Sequence, residues 1–205
     1  MPKVKSSYLK ARQEKILEAA LDCFAKKGFN EASVDDICQI VGLSHGAIYR
    51  YFSSKEDVIE ASVQRSREMR AERFENLKQK ESAIEAINES MESSINRIEE
   101  PEGIRYTRLW VQLFSESLKN ERIKEAISIT FDDVVDHLEE IIRLGQENGE
   151  INPDLDPHIL ARLFTIFHDG LVVHKVFEPE INISEYAEMM KALCDGSLYV
   201  DRKGG

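Results

Sequence analysis

The chain has 205 residues, of which 42% are hydrophobic, and its formal net charge is −11. This length is enough for one or two compact domains, and the apolar fraction excludes a disordered chain. The charge is unevenly distributed, because residues 1–55 hold nine Lys/Arg against six Asp/Glu while the remainder is strongly acidic. The total charge therefore argues against nucleic acid as a partner, but the basic first quarter does not.

Nothing in the sequence indicates export, a membrane span or a disulfide framework. The basic N-terminus lacks the apolar run of a signal peptide, and no stretch approaches the roughly 18 apolar residues of a membrane span. Cys23, Cys38 and Cys194 form an odd set without CxxC spacing, and Cys23 falls on an apolar stripe where an inert buried thiol is expected. We therefore expect a cytoplasmic protein with reduced thiols and no membrane partner.

The first two predicted helices are defined by an apolar stripe and by capping residues. The first helix covers about 10–27 and ends at Gly28, a residue suited to a left-handed C-cap. The second follows Ser33, which forms a capping box with Asp36, and ends at Gly42 after barely two turns. The apolar positions expected to face inward are Ile16, Leu17, Ala20, Leu21, Cys23 and Phe24 on the first helix and Val34, Ile37 and Ile40 on the second.

Helical periodicity continues to the end of the chain, without the alternating pattern of strands. Ser44 is placed to cap a third helix that reaches about residue 52, and Ser53 with Glu56 predicts a capping box for a fourth helix ending near residue 80. Further helices are predicted near 82–97, 103–117, 121–147, 156–177 and 184–199, with breaks at Pro101, 148–153 and Pro179.

Three helices within about 45 residues, with a short glycine-containing turn between the second and the third, predict a helix-turn-helix unit. On the third helix Ile48 and Phe52 form the inward face, whereas His45 and Tyr49 point to solvent or to a DNA groove. A half-buried packing tyrosine is the alternative for Tyr49 considered alone. That alternative loses weight because the same short helix also presents further polar and basic side chains in a locally basic segment. These are His45, Arg50, Tyr51 and Lys55.

The segment from Arg12 to Val63 carries a specific set of motifs: ILEAALDCF, the pair GF, SVDDI, GLS, and GAIYRYF followed by SKE. This set resembles the DNA-binding domain of the TetR family of transcriptional repressors. The resemblance implies that Ser33 caps its helix and touches a phosphate, and that Lys55 holds the DNA backbone from a helix N-terminus. The predicted DNA-binding residues are Ser33, Ser44, His45, Gly46, Ala47, Tyr49, Arg50, Tyr51 and Lys55.

The acidic remainder carries no catalytic signature, since it lacks a phosphate-binding glycine-rich loop, a nucleophile elbow and an HExxH motif. An enzyme is therefore not expected. Asp133 and His137 lie four residues apart and are compatible with two metal ligands, but a solvated ion pair on the helix surface is the preferred interpretation. We accordingly predict neither a metal nor a cofactor.

Bulky apolar residues concentrate around Trp110 and Phe131 in the acidic part. A pocket for a small apolar or amphipathic ligand is one interpretation, and plain core packing is the other. The candidate ligand-binding residues are Trp110, Phe114, Phe131 and His137.

The last two predicted helices have apolar residues beyond those needed to bury one face. By the resemblance to the TetR family, they would pair with their symmetry mates in a four-helix bundle and form a homodimer. The seam would include Gly170 and, on the last helix, Ala187, Met190, Leu193, Cys194 and Leu198.

The sequence thus predicts an all-α protein with a three-helix helix-turn-helix DNA-binding domain over 1–54 and a helical ligand-binding and dimerisation domain over 55–205. The resemblance implies a homodimeric repressor that binds a palindromic double-stranded DNA operator and leaves it when a small-molecule inducer binds. The alternative is a DNA-binding regulator that a protein partner controls, without a small-molecule ligand.

Overall fold

The computed structural model describes residues 6–197, and it describes no side chain for 6–7, 101–102 and 194–197. Within this range the chain forms nine α-helices and no strand, which confirms the predicted all-α class. The helices are α1 (Ser6–Lys27), α2 (Val34–Val41), α3 (His45–Ile48), α4 (Lys55–Leu77), α5 (Ala83–Glu99), α6 (Pro101–Ser117), α7 (Glu121–Glu147), α8 (Pro157–Phe177) and α9 (Ile183–Ser197).

The helices group into two compact units. The first unit comprises the chain up to Ser66 together with Arg105–Ser128, and the second comprises Arg67–Ile104 together with the chain from Ile129 onward. Helices α4, α6 and α7 therefore contribute residues to both units. The first unit also contains most of α6 and the beginning of α7, so the two units do not divide the chain at a single position. The domain boundary between residues 54 and 55 remains a prediction.

The core of the first unit lies between α1 and the helix-turn-helix. Ile48 and Phe52 are only 3% and 4% exposed, and Phe24 is fully buried with its ring in edge contact with Phe29 at 5.3 Å. Each such side chain contributes about 1.5–3 kcal/mol of transfer free energy when it is fully buried. Ile40 was predicted to face inward but is 51% exposed, because it lies in the last turn of α2, just before the exposed turn at Gly42.

Caps determine where the short helices begin and end. Ser33 and Asp36 form the predicted capping box of α2, and Gly42 ends that helix in the left-handed region with φ 70. Ser44 precedes α3 as predicted, but its hydroxyl makes no capping hydrogen bond, and α3 is shorter than expected.

Helix α4 begins with a different capping pair from the predicted Ser53 and Glu56. The hydroxyl of Ser54 accepts from the backbone N–H of Asp57 at 3.1 Å, and the Asp57 carboxylate accepts from the backbone N–H of Ser53 at 2.7 Å. The capping box of α4 therefore lies one residue later in the chain than predicted. Asp57 is the better partner because its shorter side chain folds back onto two N–H groups at once.

The core of the second unit is formed by one face each of α4, α5, α7 and α8. Phe74 is 5% exposed, and Val135 and Ile142 are fully buried. A smaller cluster joins Ile95 of α5 to Leu171 and Ile183. The predicted break at Pro101 is present, since α5 ends at Glu99 and α6 begins at Pro101, a position where the missing N–H of proline costs nothing.

The described helices show neither a membrane span nor a cluster of metal-ligating side chains. Within residues 6–197, no helix is both long and apolar enough to cross a membrane. The same residues contain no group of three or more His, Cys, Asp or Glu side chains that is suited to a metal ion.

Cys23 is a buried free thiol. Its pKa is raised mainly by burial and secondly by the negative charge of Asp36. The side chain of Cys194 lies outside the described residues.

Candidate nucleic-acid interface

Ser33, a predicted phosphate contact, is held by the capping box of α2. Its hydroxyl donates to Asp36 Oδ2 at 2.8 Å, and its backbone N–H donates to the same oxygen at 3.0 Å. Lys27 donates to the other carboxylate oxygen. These hydrogen bonds lower the pKa of Asp36 to about 2, with the largest effect from Lys27 and smaller effects from the two bonds of Ser33. The Ser33 hydroxyl already takes part in the helix cap. Its contact with a DNA phosphate remains a prediction.

The exposed side of α3 and of the residue that follows it carries the two rings that the sequence predicted to point outward. Tyr49 is 50% exposed, the side chain of His45 is equally exposed, and their ring centroids are 6.3 Å apart. Gly46 is exposed and Ala47 is half-buried, so the N-terminal end of α3 bears no bulky side chain. The predicted division of α3 into a buried and an exposed face is confirmed. Contact between this face and base edges remains a prediction.

Asp35 is a neighbour of this face that the sequence analysis missed. One of its carboxylate oxygens contacts His45 Nε2, and the side chain is 75% exposed. Asp35 and His45 come from different helices, on either side of the turn, so no helical spacing reveals the pair. A carboxylate at this place opposes the approach of DNA phosphates and holds the imidazole that the sequence predicts to enter the groove.

Arg50 and Tyr51 follow α3 in the turn that leads to α4. The Arg50 side chain is exposed and Tyr51 is half-buried. Among the residues that the structure describes, none forms an ion pair with Arg50, whose guanidinium is thus available to an external anion. The exposed Ser44 hydroxyl is likewise not used as a cap. The geometry is compatible with backbone contacts by these residues, which remain predictions.

Lys55 has internal partners instead of a free ammonium. Its Nζ donates to the backbone carbonyl oxygens of Phe29, Asn30 and Ala32 at 2.6, 3.1 and 3.3 Å, and it lies 4.9 Å from the centre of the Phe29 ring. An ammonium has three donors, and these carbonyls occupy all of them. Lys55 therefore ties the loop after α1 to the start of α4. A phosphate contact by Lys55 remains a prediction, and it is the one in the set that the geometry favours least.

A polar junction joins the helix-turn-helix to α6 within the first unit. The side-chain carbonyl of Gln112 accepts from the backbone N–H of Phe29 at 3.0 Å, and the amide of Asn30 donates to Glu116 at 3.0 Å. Further along α6 toward its start, Arg105 forms an ion pair with Asp22 of α1 at 3.1 Å. The loop after α1 is thus held by α6 as well as by Lys55.

The beginning of α7 belongs to the same junction. Arg122 donates from Nη2 to Asp57 at 2.7 Å and from Nε to Glu60 at 2.7 Å, so its planar fork joins two carboxylates of α4. The hydrogen bonds to the Asp57 carboxylate lower its pKa to about 2. The bond from Arg122 has the largest effect, and those from Ser54 and Ser53 have smaller ones. Asn120 adds a bond to Glu56 at 3.0 Å. No local motif in the sequence indicates these pairs, because the partners lie more than 60 residues apart.

The four predicted ligand-binding residues are divided between the units. In the first unit the rings of Trp110 and Phe114 are 6.3 Å apart, and both are half-buried. In the second unit His137 stacks on Phe74 with ring centroids 4.6 Å apart, and its Nδ1 bonds to the carbonyl oxygen of Asp133. Phe131, also in the second unit, is half-buried. Ligand binding by these residues remains a prediction.

The predicted ion pair between Asp133 and His137 was wrong. Arg67 instead binds the Asp133 carboxylate at 2.6 Å, because a permanently charged guanidinium is a stronger partner than an imidazole. A cleft of about 240 Å³ lies elsewhere in the second unit, between α5, α8 and α9, and none of the four predicted residues lines it. Its apolar lining includes Met91, Phe164 and Met190.

A second exposed surface is apolar. We call it the α8–α9 face, and it comprises Ile159, Leu163, Ile166 and Phe177 of α8 and Tyr186, Met189 and Leu193 of α9, all more than half exposed. Of the predicted seam residues, Gly170 is exposed and Leu193 belongs to this face, whereas Ala187 and Met190 are half-buried against the core of the unit. The Cys194 side chain and Leu198 lie outside the described residues.

Comparison with known proteins agrees with both the helix-turn-helix and the helical remainder. Residues 16–62 match the profile of bacterial regulatory proteins of the tetR family, and residues 97–199 match that of the C-terminal part of BetI-type transcriptional repressors. The HTH-type transcriptional regulator UidR of Escherichia coli is 26% identical over 184 residues, which cover 90% of this chain and 91% of that protein.

Solved structures show the same fold at low sequence identity. A transcriptional regulator from Saccharomonospora viridis in complex with choline superimposes with a TM-score of 0.79 at 21% identity, covering 93% of this chain and 99% of that one. FadR from Bacillus subtilis in complex with stearoyl-CoA gives a TM-score of 0.77 at 21% identity, covering 88% and 96%. The matched proteins are regulators and not enzymes. The chain therefore belongs to the TetR family of DNA-binding transcriptional regulators.

Proposed function

We propose that the protein is a homodimeric cytoplasmic repressor that binds a palindromic DNA operator and releases it when a small molecule binds. The observation that carries the release step is the junction of α6 and α7 with the helix-turn-helix. Gln112, Glu116, Asn120 and Arg122 hold the loop after α1 and the start of α4, and α7 continues from Arg122 into the second unit. A displacement of α7 therefore acts directly on the DNA-binding helices.

The DNA-binding surface in this proposal is the exposed side of α3 and the residues beside it. His45 and Tyr49 are the groove-facing rings, and Gly46 and Ala47 let the backbone approach the base edges. Ser33, Ser44, Arg50 and Tyr51 supply contacts to the phosphate backbone, which position the helix without reading sequence.

The homodimer in this proposal forms through the α8–α9 face. Apolar side chains at Ile159, Leu163 and Ile166 recur on one side of α8 at helical spacing, and each is more than half exposed in the single chain. An exposed apolar stripe of this kind is typical of a protein interface. Two copies related by a twofold axis present two α3 helices to DNA, which requires half-sites about 34–36 Å apart.

The small molecule in this proposal acts by selecting one spacing of the two α3 helices. Related folds hold choline in the Saccharomonospora protein and stearoyl-CoA in the Bacillus protein, so the architecture accommodates ligands of very different size. The candidate contacts in this chain are Trp110 and Phe114 in one unit and Phe131 and His137 in the other. By thermodynamic reciprocity the operator must weaken ligand binding by the same factor as the ligand weakens operator binding, about 5–150-fold in typical cases.

The experiment begins with recovery of the bound genomic DNA, which gives the operator. A screen of small molecules for thermal stabilisation of the full chain then gives ligands, and each is titrated with and without operator. We expect ligand affinity to fall in the presence of operator. Arg122→Gln should weaken this coupling, because it removes the link between α7 and α4, whereas Arg143→Gln, an exposed change on the same helix, should not.

Equal ligand affinities with and without operator, for every stabilising ligand, would show that release by a small molecule is wrong. A protein partner would then be the better candidate for the controlling signal.

A further inference from the structure

Arginines recur on α4 where the chain is otherwise acidic. Arg67, Arg70 and Arg73 follow one another at intervals of three residues in the second unit, and Arg97 lies in the last turn of α5 in the same unit. Only 18 Lys/Arg stand against 32 Asp/Glu after residue 55, so a concentration of four guanidiniums is unusual for this part of the chain. We call these four residues the arginine cluster.

Arg70 is a mostly buried member of the cluster, and part of its guanidinium lacks hydrogen-bond partners. Its side chain is 17% exposed, and neither Nε nor Nη2 has an acceptor among the described residues. The nearest carboxylate is that of Asp133, whose Oδ2 is 3.9 Å from Nη2 and therefore beyond hydrogen-bonding distance. The same oxygen is already bound by Arg67 at 2.6 Å. One carboxylate thus stands between two guanidiniums, and it satisfies only one of them.

Arg73 and Arg97 add positive charge near Arg70. Burial lowers the pKa of Arg73. Loss of solvent is the main factor that lowers the pKa of Arg97. The positive charges of Arg73 and, more weakly, Arg70 lower it further, whereas the negative charge of Glu100 raises it. The residue Arg97 as a whole is exposed, and Arg73 is half-buried. Loss of solvent thus acts on the guanidiniums of Arg70, Arg73 and Arg97 alike, although Arg97 as a residue is exposed.

Such an arrangement is costly for an unliganded protein. A buried guanidinium with unsatisfied donors loses its hydration without compensation, and like charges beside it add repulsion. Burial and the neighbouring charges of Arg73 and Arg67 lower the pKa of Arg70, whereas Asp133 raises it. A buried charge without a compensating partner is strongly destabilising, and a bound anion would remove that cost. Two parallel N–H donors of a guanidinium fit a carboxylate or a phosphate.

We propose that the arginine cluster binds the anionic group of the small-molecule effector, with Arg70 as the principal contact and Arg73 and Arg97 as additional positive charge. The chemical class is an organic carboxylate or phosphate ester with an apolar body. This inference rests on the proposed function and sharpens it, because the sequence indicated only an apolar or amphipathic ligand without a sign of charge.

The test compares probes that share an eight-carbon chain and differ in the head group: octanoate, octyl phosphate, octanamide and octylammonium. Each is titrated calorimetrically into the full-length dimer at constant ionic strength, below its aggregation concentration. We expect one or both anions to bind wild type about tenfold or more tightly than octanamide. In Arg70→Gln this preference for the anion should be lost, while the affinity for octanamide is retained.

Two further variants separate this effect from general electrostatics. Arg70→Lys keeps the charge but removes the fork, and it should retain only part of the preference. Arg143→Gln removes an equally charged but exposed side chain that pairs with Glu139, and it should behave like wild type. Without any probe, Arg70→Gln should unfold at the same temperature as wild type or higher, because it removes an unsatisfied buried charge.

An anion preference that persists in Arg70→Gln, equal binding of octanoate and octanamide, or no binding by either anion would each overturn the assignment. The outcome for the proposed function is separate. Binding of octanamide or octylammonium that weakens operator affinity leaves the repressor mechanism intact without an anion site. Anion binding through Arg70 that leaves operator affinity unchanged establishes the site and refutes release by its ligand.

Discussion

Two surfaces of the molecule are similarly exposed but chemically opposite. Tyr49 on α3 is 50% exposed and Leu163 on the α8–α9 face is 55% exposed. The neighbours of Tyr49 are an imidazole and a guanidinium that has no ion pair among the described residues, in a basic segment, whereas those of Leu163 on α8 are aliphatic. Exposure alone therefore does not identify a partner. The surrounding chemistry favours a polyanion for the first surface and a second copy of the chain for the second.

The largest effect should follow from a charge placed on the α8–α9 face. Leu163→Glu would bury a carboxylate without a partner at the dimer seam, at a cost of several kcal/mol. We expect a monomer in sedimentation and operator affinity reduced by about 100-fold or more, since a single α3 helix makes half of the contacts. Leu118→Glu is the matched control, because Leu118 is 88% exposed and lies outside this face. A dimeric Leu163→Glu protein would remove the seam assignment.

A smaller effect is expected on the other surface. Tyr49→Ala should weaken specific operator binding by about 1–3 kcal/mol, since the ring is the proposed contact to base or phosphate and is half exposed. The melting temperature should remain close to that of wild type. Gel-shift titration with operator and with an unrelated duplex measures the change. Unaltered operator affinity in Tyr49→Ala would mean that α3 does not read DNA through this ring.

The stability of the α3 surface should depend on the junction beneath it. The pKa of Asp57 is lowered to about 2 from an ordinary value of 3.8, so its contribution is present above pH 4 and is lost as the pH falls toward 2. Asp57→Asn should therefore lower the free energy of unfolding at pH 7 by about 1 kcal/mol, allowing for partial exposure. The corresponding fall in melting temperature is about 2–4 °C.

This prediction is checked by thermal melts of wild type and Asp57→Asn between pH 7 and pH 2. The difference between them should be constant above pH 4 and should close below it. Asp154→Asn, an exposed change in the loop before α8, serves as the control. A difference that persists at pH 2 would assign the effect of Asp57→Asn to something other than the charge of the carboxylate.

The smallest effect concerns Asp35. Asp35→Asn removes a negative charge beside the DNA-facing surface and releases His45 from its carboxylate contact. Operator affinity should rise by about two- to threefold at low salt, and the gain should decline as salt screens the interaction. Fluorescence anisotropy at two salt concentrations is sufficient to measure it. Weaker binding by Asp35→Asn would instead mean that Asp35 orients His45 for a base contact.

Local patterns were sufficient to predict most of the fold. The limits of α7 were predicted without error, and those of α5, α6 and α8 were close, because caps, prolines and helical spacing act within a few residues. The start of α4 was misassigned because Ser53 and Ser54 both precede an acidic residue at the capping distance. Ile40 was misassigned because periodicity does not show where a neighbouring helix stops covering a face.

The candidate site was predictable only where it lies on one short segment. The buried and exposed faces of α3 follow from residues that are adjacent in sequence, and they were predicted correctly. The internal partners of Lys55, the contact of Asp35 with His45 and the fork of Arg122 depend on tertiary packing, so no local pattern reveals them. The spacing of Arg67, Arg70 and Arg73 on a helix in an acidic region was a detectable signal for the arginine cluster that the sequence analysis did not use.

The length of α7 gives the junction at Arg122 a mechanical property. A helix of 27 residues is about 40 Å long, so a tilt of about 5° around its far end displaces the near end by about 3.5 Å. Hydrogen bonds weaken steeply when donor and acceptor separate by even ~0.5 Å beyond their usual distance. The three bonds from Arg122 to Asp57 and Glu60 therefore set a tolerance of about 1° on the angle of α7, beyond which the helix releases α4 instead of moving it. Transmission through α7 is therefore limited to small tilts, and an insertion or deletion within α7 changes the displacement at Arg122 in proportion to the length of the helix.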